Sequence, residues 1–168
     1  DSQFVQRVAG VEETRIYPCR YELNEPLSPH LAARIDGVQI KVSDFSLPQT
    51  ERPLIVEGAG GVLVPVNDDE LMIDMMAHLN LPVIVVCRTS LGTINHSLMT
   101  IEALRMRNIE IAGVVLNGEQ NEANKAAICH FGRVKVLGEI PQLTELSSKA
   151  LSAIAPTMPV HQCASGEM

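Results

Sequence analysis

The chain has 168 residues, of which 46% are apolar and 20% are charged, a composition typical of a globular domain with its own core. Its formal net charge of −7 argues against a general nucleic-acid surface, which needs clustered lysine and arginine. No apolar run reaches the roughly 18 residues that a membrane span requires. We therefore expect no nucleic-acid or membrane partner. The cysteines form no CxxC pair, so we expect reduced thiols in a cytoplasmic protein.

Apolar runs alternate with helical patterns from residue 53 onward. The runs are short and continuous, which is typical of strands covered on both faces of a parallel sheet. The predicted strands are PLIVE (53–57), PVIVVC (82–87), IAGVVLN (111–117) and VKVLGEIP (134–141). The predicted helices are a first one at the start of the chain, then 68–80, 93–108 and 121–132.

This alternation predicts the fold class. Strands and helices joined by short connections form right-handed βαβ units, so we expect an α/β fold with a doubly wound, mainly parallel sheet and helices on both faces. We expect a single α/β domain over residues 1–156. The segment 157–168 has no periodicity and is predicted to be a loose tail.

The first predicted strand ends on an acid and continues into glycines. Ligands of an open α/β sheet gather beyond the carboxyl ends of its strands. Glu57 lies at such an end, and Gly58, Gly60 and Gly61 would let the backbone approach a ligand closely. A carboxylate there suits Mg²⁺ beside a polyphosphate. The alternative is a tight turn with a solvated glutamate.

Two later segments are candidates for anion or base binding. Gly92 precedes a predicted helix in TSLGTINH (89–96), and the free N–H groups of a helix N-terminus suit a phosphate or carboxylate. Plain helix capping is the alternative. Asn117 ends a strand, where its amide could both donate and accept along a purine edge. An Asn-Gly pair is also a common turn.

The segment PLSPH (26–30) carries a further candidate. Ser28 is expected to cap a short helix that has Pro29 at its first position. His30 in the first turn could touch a substrate or be structural. The phosphate-binding motif G-x-x-x-x-G-K-[ST] of a P-loop does not occur, since no lysine of the chain follows a glycine.

Together these motifs resemble the dethiobiotin synthetase family. The segments that carry the resemblance occur in the family's order and spacing, from Asp1 to about Pro141. They are PLSPH, VEGAGG followed by an apolar strand, LPVIVV, LGTINH, GVVLN and LGEIP. The family begins with a strand, a P-loop and a helix, followed by a strand with a Lys-Pro motif. We therefore expect a chain that lacks the first βαβ unit, and whether it is active alone stays open.

The resemblance implies a P-loop NTPase-like ligase of biotin biosynthesis. Such an enzyme uses ATP and Mg²⁺ to convert 7,8-diaminopelargonate and CO₂ to dethiobiotin, with release of ADP and phosphate, and works as a homodimer. The implied metal ligands are Asp1 and Glu57, and the implied catalytic residues are Glu57, Gly58, Gly60 and Gly61. The implied diamine-binding residues are Ser28, Pro29, His30, Gly92, Thr93 and Asn95. The implied nucleotide-binding residues are Glu57, Asn117, Ile140, Pro141 and Glu145.

Two other functions remain possible from the sequence. One is a related enzyme of the P-loop superfamily, such as a cobyrinate amidotransferase or a partition ATPase. The other is a non-catalytic binding fragment that keeps the same fold. The LGTINH and PLSPH segments favour the synthetase over the related enzymes. The missing P-loop is what the binding fragment predicts, although a missing upstream segment explains it as well.

Overall fold

The computed structural model describes residues 2–154, so Asp1 and the predicted tail 157–168 lie outside the described residues. The chain divides into two compact units. Within the described residues, the first unit comprises 2–13, Ile84–Met99 and 112–154, and the second comprises Thr14–Val83 and Thr100–Ile111. The single domain expected over 1–156 stays a prediction.

Helices and strands alternate in the second half of the chain. The helices are α1 (Ser2–Ala9), α2 (Pro29–Asp36), α3 (Met72–Leu79), α4 (Thr93–Met106), α5 (Glu122–Gly132) and α6 (Ser148–Ile154). The strands are β1 (Val83–Arg88), β2 (Ile111–Asn117) and β3 (Val136–Ile140). Short 3₁₀ turns lie at Glu13–Arg15 and Val42–Asp44. None of the helices within residues 2–154 has the length and apolar character that crossing a membrane requires.

The strands form one sheet in the order β1-β2-β3. β2 and β3 are parallel, with Val114 opposite Val136 and Asn117 opposite Ile140. Helix α4 connects β1 to β2, and α5 connects β2 to β3. This parallel sheet with flanking helices confirms the predicted α/β class and is consistent with a P-loop NTPase-like fold.

Burial explains why β2 was predictable from its letters. Val114, Val115 and Leu116 are all buried, as expected of a central strand. β1 differs, because Ile84 and Val86 are 52% and 63% exposed while their neighbours along the strand point into the core. β1 is therefore covered on one face only within the described residues, and the prediction of cover on both faces was wrong for it.

The predicted strand at 53–57 is also wrong. This segment has no strand conformation, and the side chain of Ile55 is 92% exposed. Within residues 2–154, no backbone hydrogen bond joins 53–57 to another segment. A strand exists only through pairing with a neighbour, so β-forming residues without one remain extended chain. The apolar stretch that follows is likewise no strand and makes a single antiparallel bridge, between Pro65 and Leu71.

Helix α3 begins four residues later than the predicted helix 68–80, so Asp68 and Asp69, two residues suited to capping a helix, do not cap it. The side chain of Asn67 accepts hydrogen bonds from the backbone N–H groups of Asp69 (2.9 Å) and Glu70 (2.7 Å), which holds the chain in a turn. The carboxylate of Asp74 then accepts from the N–H of Leu71 at 2.8 Å and caps the helix.

The core of the second unit is aliphatic, as the scarcity of aromatic residues predicts. One cluster of buried side chains joins α2, α3 and the turns between them. Its members are Ala33, Ile40, Val42, Val66, Met72 and Met75. Tyr21 and Phe45 pack against it, with ring centroids 5.7 Å apart. These contacts hold the loop that carries Glu57 and the start of α2 within the same unit.

Candidate active site

A polar depression lies in the first unit at the carboxyl ends of the strands. Its volume is about 460 Å³. Residues that follow β1, β2 and β3 line it, including Arg88, Thr89, Ser90, Asn117, Gly118 and Gln142. A second depression of about 690 Å³ shares Glu119, Gln120 and Gln142 with it and reaches Pro141. This is the edge at which open parallel sheets bind their ligands.

Two of the predicted nucleotide-binding residues line these depressions, Asn117 the first and Pro141 the second. Asn117 ends β2 with an exposed amide and pairs in the ladder with Ile140. The N–H of Gly118 donates to the carbonyl of Ile140 at 2.9 Å, which continues the β2–β3 pairing past the strand. Pro141 lines the second depression, whereas Glu145 is exposed further along and lines neither depression.

The loop between β1 and α4 is held by internal hydrogen bonds. The buried hydroxyl of Thr93 donates to the carbonyl of Arg88 at 2.5 Å and lies 3.3 Å from the hydroxyl of Ser97. The backbone N–H of Thr93 donates to the carbonyl of Ser90 at 3.2 Å. Both donors of Thr93 therefore hold the loop, and Gly92 and Asn95 are the exposed members of the predicted diamine-binding set at this helix start.

A second set of contacts joins this loop to the segment after β2. The side-chain amide of Asn124 donates to the carbonyl of Thr89 at 2.9 Å. A Cβ atom added to Gly118 would lie 2.4 Å from Thr89 Oγ1, so the two loops touch where Gly118 has no side chain. Gly118 also has φ +135°, a conformation that favours glycine. The loops that carry Gly92 and Asn117 are therefore fixed against each other.

An ion pair lies beneath the same edge. Lys125 Nζ is 2.5 Å from the carboxylate of Glu139 on β3 and 3.5 Å from that of Glu122. The hydrogen bond to Glu139 raises the pKa of Lys125 above its ordinary value. The pair fixes α5 to β3 at the ladder position beside Asn117 and Ile140.

The glycine loop after residue 57 belongs to the second unit. Glu57 is exposed, so its carboxylate is open to solvent ligands. A Cβ atom added to Gly58 would lie 3.0 Å from Met72 Sδ, so the loop packs closely on α3. Gly60 has φ +83°, whereas a Cβ atom added to Gly61 would meet nothing within 4 Å. Gly58 therefore allows close packing on α3, and Gly60 allows a turn. Gly61 borders open space.

The start of α2 also lies in the second unit, and Pro29 is at the first helical position as predicted. Ser28 is the N-cap residue, but its hydroxyl makes no capping hydrogen bond. The backbone N–H of His30 donates to the carbonyl of Pro65 at 3.3 Å. His30 Nδ1 is buried without a hydrogen-bond partner among the described residues. The Ser28 hydroxyl at this helix start is thus free to bind a ligand, whereas His30 Nδ1 is closed off from solvent.

No group of three or more metal-ligating side chains occurs within residues 2–154. Mg²⁺ does not need such a group, because it is usually bound by one or two carboxylates together with substrate phosphates and water. The exposed Glu57 beside a glycine loop fits that pattern. Asp1, the other predicted ligand, lies outside the described residues.

Sequence reasoning assigned no binding role to Thr89, Gly118, Asn124 or Gln142, although Thr89 and Gly118 lie in the strand-end segments that it singled out. Each lies in a loop or a first helical turn, where apolar periodicity gives no signal. The one available signal was the Asn-Gly pair at 117–118, which was weighed only as a turn or a base contact. The contact between the two loops is long-range in sequence, so no local pattern predicts it.

The fold and the site are those of an α/β protein and are consistent with a P-loop NTPase-like fold, and a family model described as an AAA domain matches residues 1–150. The chain is 49% identical over 156 residues to the ATP-dependent dethiobiotin synthetase BioD of Paramagnetospirillum magneticum, covering 93% of this chain and 75% of that protein. It is 48% identical over 151 residues to the protein of the same name from Brucella ovis, covering 90% and 71%. The chain belongs to the ATP-dependent dethiobiotin synthetase family, a family of ligases.

Proposed function

We propose that this protein carries out the ATP- and Mg²⁺-dependent carboxylation and ring closure of 7,8-diaminopelargonate with CO₂. The products are dethiobiotin, ADP and phosphate, in biotin biosynthesis. The observation that carries the proposal is the 49% identity over 93% of the chain to a protein named for this synthesis. A polar depression at the carboxyl ends of the parallel strands supports it, because superfamily ligands bind at this edge.

The proposed reaction has three steps. One amine of the diamine attacks CO₂ and loses a proton, giving a carbamate. A carbamate oxygen attacks the γ-phosphorus of ATP, and the bond to the bridging oxygen breaks to release ADP. The second amine then attacks the carbonyl carbon of this mixed anhydride, loses a proton and expels phosphate, which closes the cyclic urea. Such chemistry requires chiefly positioning and charge neutralisation from the protein.

In this proposal the ends of β2 and β3 bind the adenine, and the loop between β1 and α4 binds the substrate carboxylate. The exposed amide of Asn117 reads the adenine edge, with Ile140 and Pro141 beside the base and Glu145 near the ribose. Gly92 and Asn95 meet the carboxylate at the start of α4, where the helix dipole favours an anion. Thr93 belongs to the same set, and its proposed share is to shape the loop, since its hydroxyl is bound to Arg88.

The proposed roles of the glycine loop and of the start of α2 are to bind the phosphates and the amines. The open backbone at Gly61 leaves room for the transferred phosphoryl group, and Gly58 and Gly60 give the loop its packing and its turn. The free hydroxyl of Ser28 and the unpartnered Nδ1 of His30 border the diamine, with Pro29 fixing the helix start. A substrate amine or carbamate would bind the Ser28 hydroxyl directly, and would reach the buried His30 Nδ1 only after the imidazole ring moves.

Glu57 and Asp1 are the residues that would hold Mg²⁺, which when bound neutralises charge on the phosphates. Glu57 has the exposure that this role requires. We further propose that the protein acts as a homodimer in the cytoplasm, as family resemblance implies. The exposed position of Asn95 on α4 is compatible with a site shared between subunits.

The test is an assay of the full-length protein with ¹³C-bicarbonate, ATP, Mg²⁺ and the diamine. We expect ADP release that depends on both the diamine and bicarbonate, with the label in the ureido carbon of the product. Glu57→Gln should remove Mg²⁺-dependent turnover while the protein stays folded. Glu51→Gln is the matched control, because Glu51 is an exposed glutamate of the same segment. ADP release without the diamine, or an unlabelled product, would refute the proposed function.

A further inference from the structure

Three consecutive carbonyl groups at the end of β1 each accept a hydrogen bond. Thr93 supplies two of the donors, its hydroxyl to Arg88 at 2.5 Å and its N–H to Ser90 at 3.2 Å. Those two bonds fold the loop onto its own helix. The middle carbonyl, that of Thr89, accepts instead from the side-chain amide of Asn124 on α5, at 2.9 Å. This bond connects the loop to a segment beyond β2.

Asn124 is built to make this contact. It is the third residue of α5, and its own N–H donates to the side chain of the N-cap residue Asn121 at 2.9 Å. The backbone of Asn124 is therefore fixed by the cap, and its side chain reaches across to Thr89. The bond is partly buried, so its loss would leave a carbonyl without a partner.

The same loop touches Gly118 from the other side. The absence of a side chain at Gly118 lets Thr89 Oγ1 approach, since an added Cβ would be 2.4 Å away. Thr89 is therefore held both by Asn124 and by contact with the residue after Asn117. Thr89 lies in the loop directly before α4. The position of Gly92 and Asn95 at the start of this helix therefore depends on Thr89.

We propose that Asn124 is a positioning residue. From α5, beside the proposed nucleotide site, it fixes the position of the start of α4, where the substrate carboxylate would bind. It acts through Thr89, because its hydrogen bond to the Thr89 carbonyl holds the β1–α4 loop in contact with Gly118. The proposal rests on the proposed function for the identity of the substrate, but the hydrogen bond itself does not. Asn117 is held independently, because the strand ladder pairs it with Ile140. Loss of the Asn124 contact should therefore affect the diamine more than ATP.

Three variants of the full-length protein test this. Asn124→Ala removes the donor, and Asn124→Asp replaces it by a carboxylate that faces the Thr89 carbonyl. An acid in the first turn favours the helix dipole, so Asn124→Asp leaves α5 itself stable. Ala126→Gly is the control: it weakens α5 at an exposed position through helix propensity and does not touch the loop.

The first readout is the diamine KM against the ATP KM and kcat. We expect Asn124→Ala to raise the diamine KM about tenfold, the loss of one hydrogen bond with a partly buried acceptor left unpaired. Asn124→Asp should raise it further, and the ATP KM and kcat should change much less. Ala126→Gly should leave all three near the unsubstituted values. A diamine KM unchanged in Asn124→Asp would overturn the proposal, as would equal effects of Asn124→Asp and Ala126→Gly.

The second readout is hydrogen exchange of the backbone amides in the segment 89–92, followed by mass spectrometry without any substrate. We expect both Asn124 variants to speed exchange in this segment at least threefold, and Ala126→Gly to leave it unchanged. Unchanged exchange in both Asn124 variants would overturn the proposal. Absence of turnover in the unsubstituted protein would overturn the proposed function instead, and the exchange readout would then decide the role of Asn124 by itself.

Discussion

Gly118→Ala tests how closely the loops after β1 and β2 are packed. The new methyl group would lie 2.4 Å from Thr89 Oγ1, well inside van der Waals contact. The backbone at this position has φ +135°, which an alanine adopts only with strain. Both effects act on the folded state, so the substitution should destabilise the protein.

The magnitude has two parts. The strained backbone conformation costs about 1–2 kcal/mol, and forcing an extra methyl into a packed contact costs about 1–3 kcal/mol. We therefore expect a loss of about 2–5 kcal/mol in the free energy of unfolding. Gly37→Ala separates the parts, because Gly37 has φ +67° but nothing within 4 Å of an added Cβ. That control should lose only the first part.

Urea denaturation of the two variants measures the difference. Thr89→Ala in the Gly118→Ala background removes the clashing oxygen and should recover the steric part, but not the backbone part. Gly118→Ala should also weaken nucleotide binding at the depression that Gly118 lines. If Gly118→Ala and Gly37→Ala have the same unfolding free energy, or if Thr89→Ala recovers nothing, the reasoning about this contact is wrong.

Three further substitutions test the site and the fold. Asn117→Ala should reduce the preference for ATP over other nucleotides about tenfold, the usual effect of leaving a base edge unpaired; competition binding with the other triphosphates measures it, and unchanged preference would exclude the role. Asn95→Ala should raise the diamine KM about tenfold and the ATP KM less, and steady-state kinetics showing the reverse would remove it from the carboxylate site. Asp74→Asn should lose about 1 kcal/mol of stability at neutral pH, because the carboxylate caps α3. The hydrogen bond from the Leu71 N–H, and then that from Arg107, lower the pKa of Asp74 below its ordinary value, so this contribution is present above the ordinary value and is lost as the pH falls through the lowered pKa; a stability difference that persists in acid would contradict it.

Much of the sheet could be predicted from local patterns. IAGVVLN predicted β2 with the bounds that the structure has, because a central strand is buried on both faces and its letters are apolar throughout. Helices α4 and α5 followed from apolar residues at helical spacing. The Asn-Gly pair marked the end of β2, where a ligand group was expected.

Other features depend on partners that no local pattern reveals. The segment 53–57 has the letters of a strand, but among the described residues it pairs with no neighbour and stays extended chain. Asp68 and Asp69 are residues that commonly cap helices. The side chain of Asn67 instead accepts from the N–H groups of Asp69 and Glu70, which holds a turn there, and α3 begins after it.

The sequence by itself determined the parallel α/β class, the helices between the later strands and the identity of the polar residues at the strand ends. These follow from side-chain polarity and periodicity, which are local. Only the tertiary structure decided that Asn124 binds Thr89 and that Gly118 must lack a side chain. It also decided that the Thr93 hydroxyl donates to the Arg88 carbonyl. The Asn124 bond joins residues 35 positions apart in the chain, and the bonding of each of these groups is set by where the folded backbone places its partners.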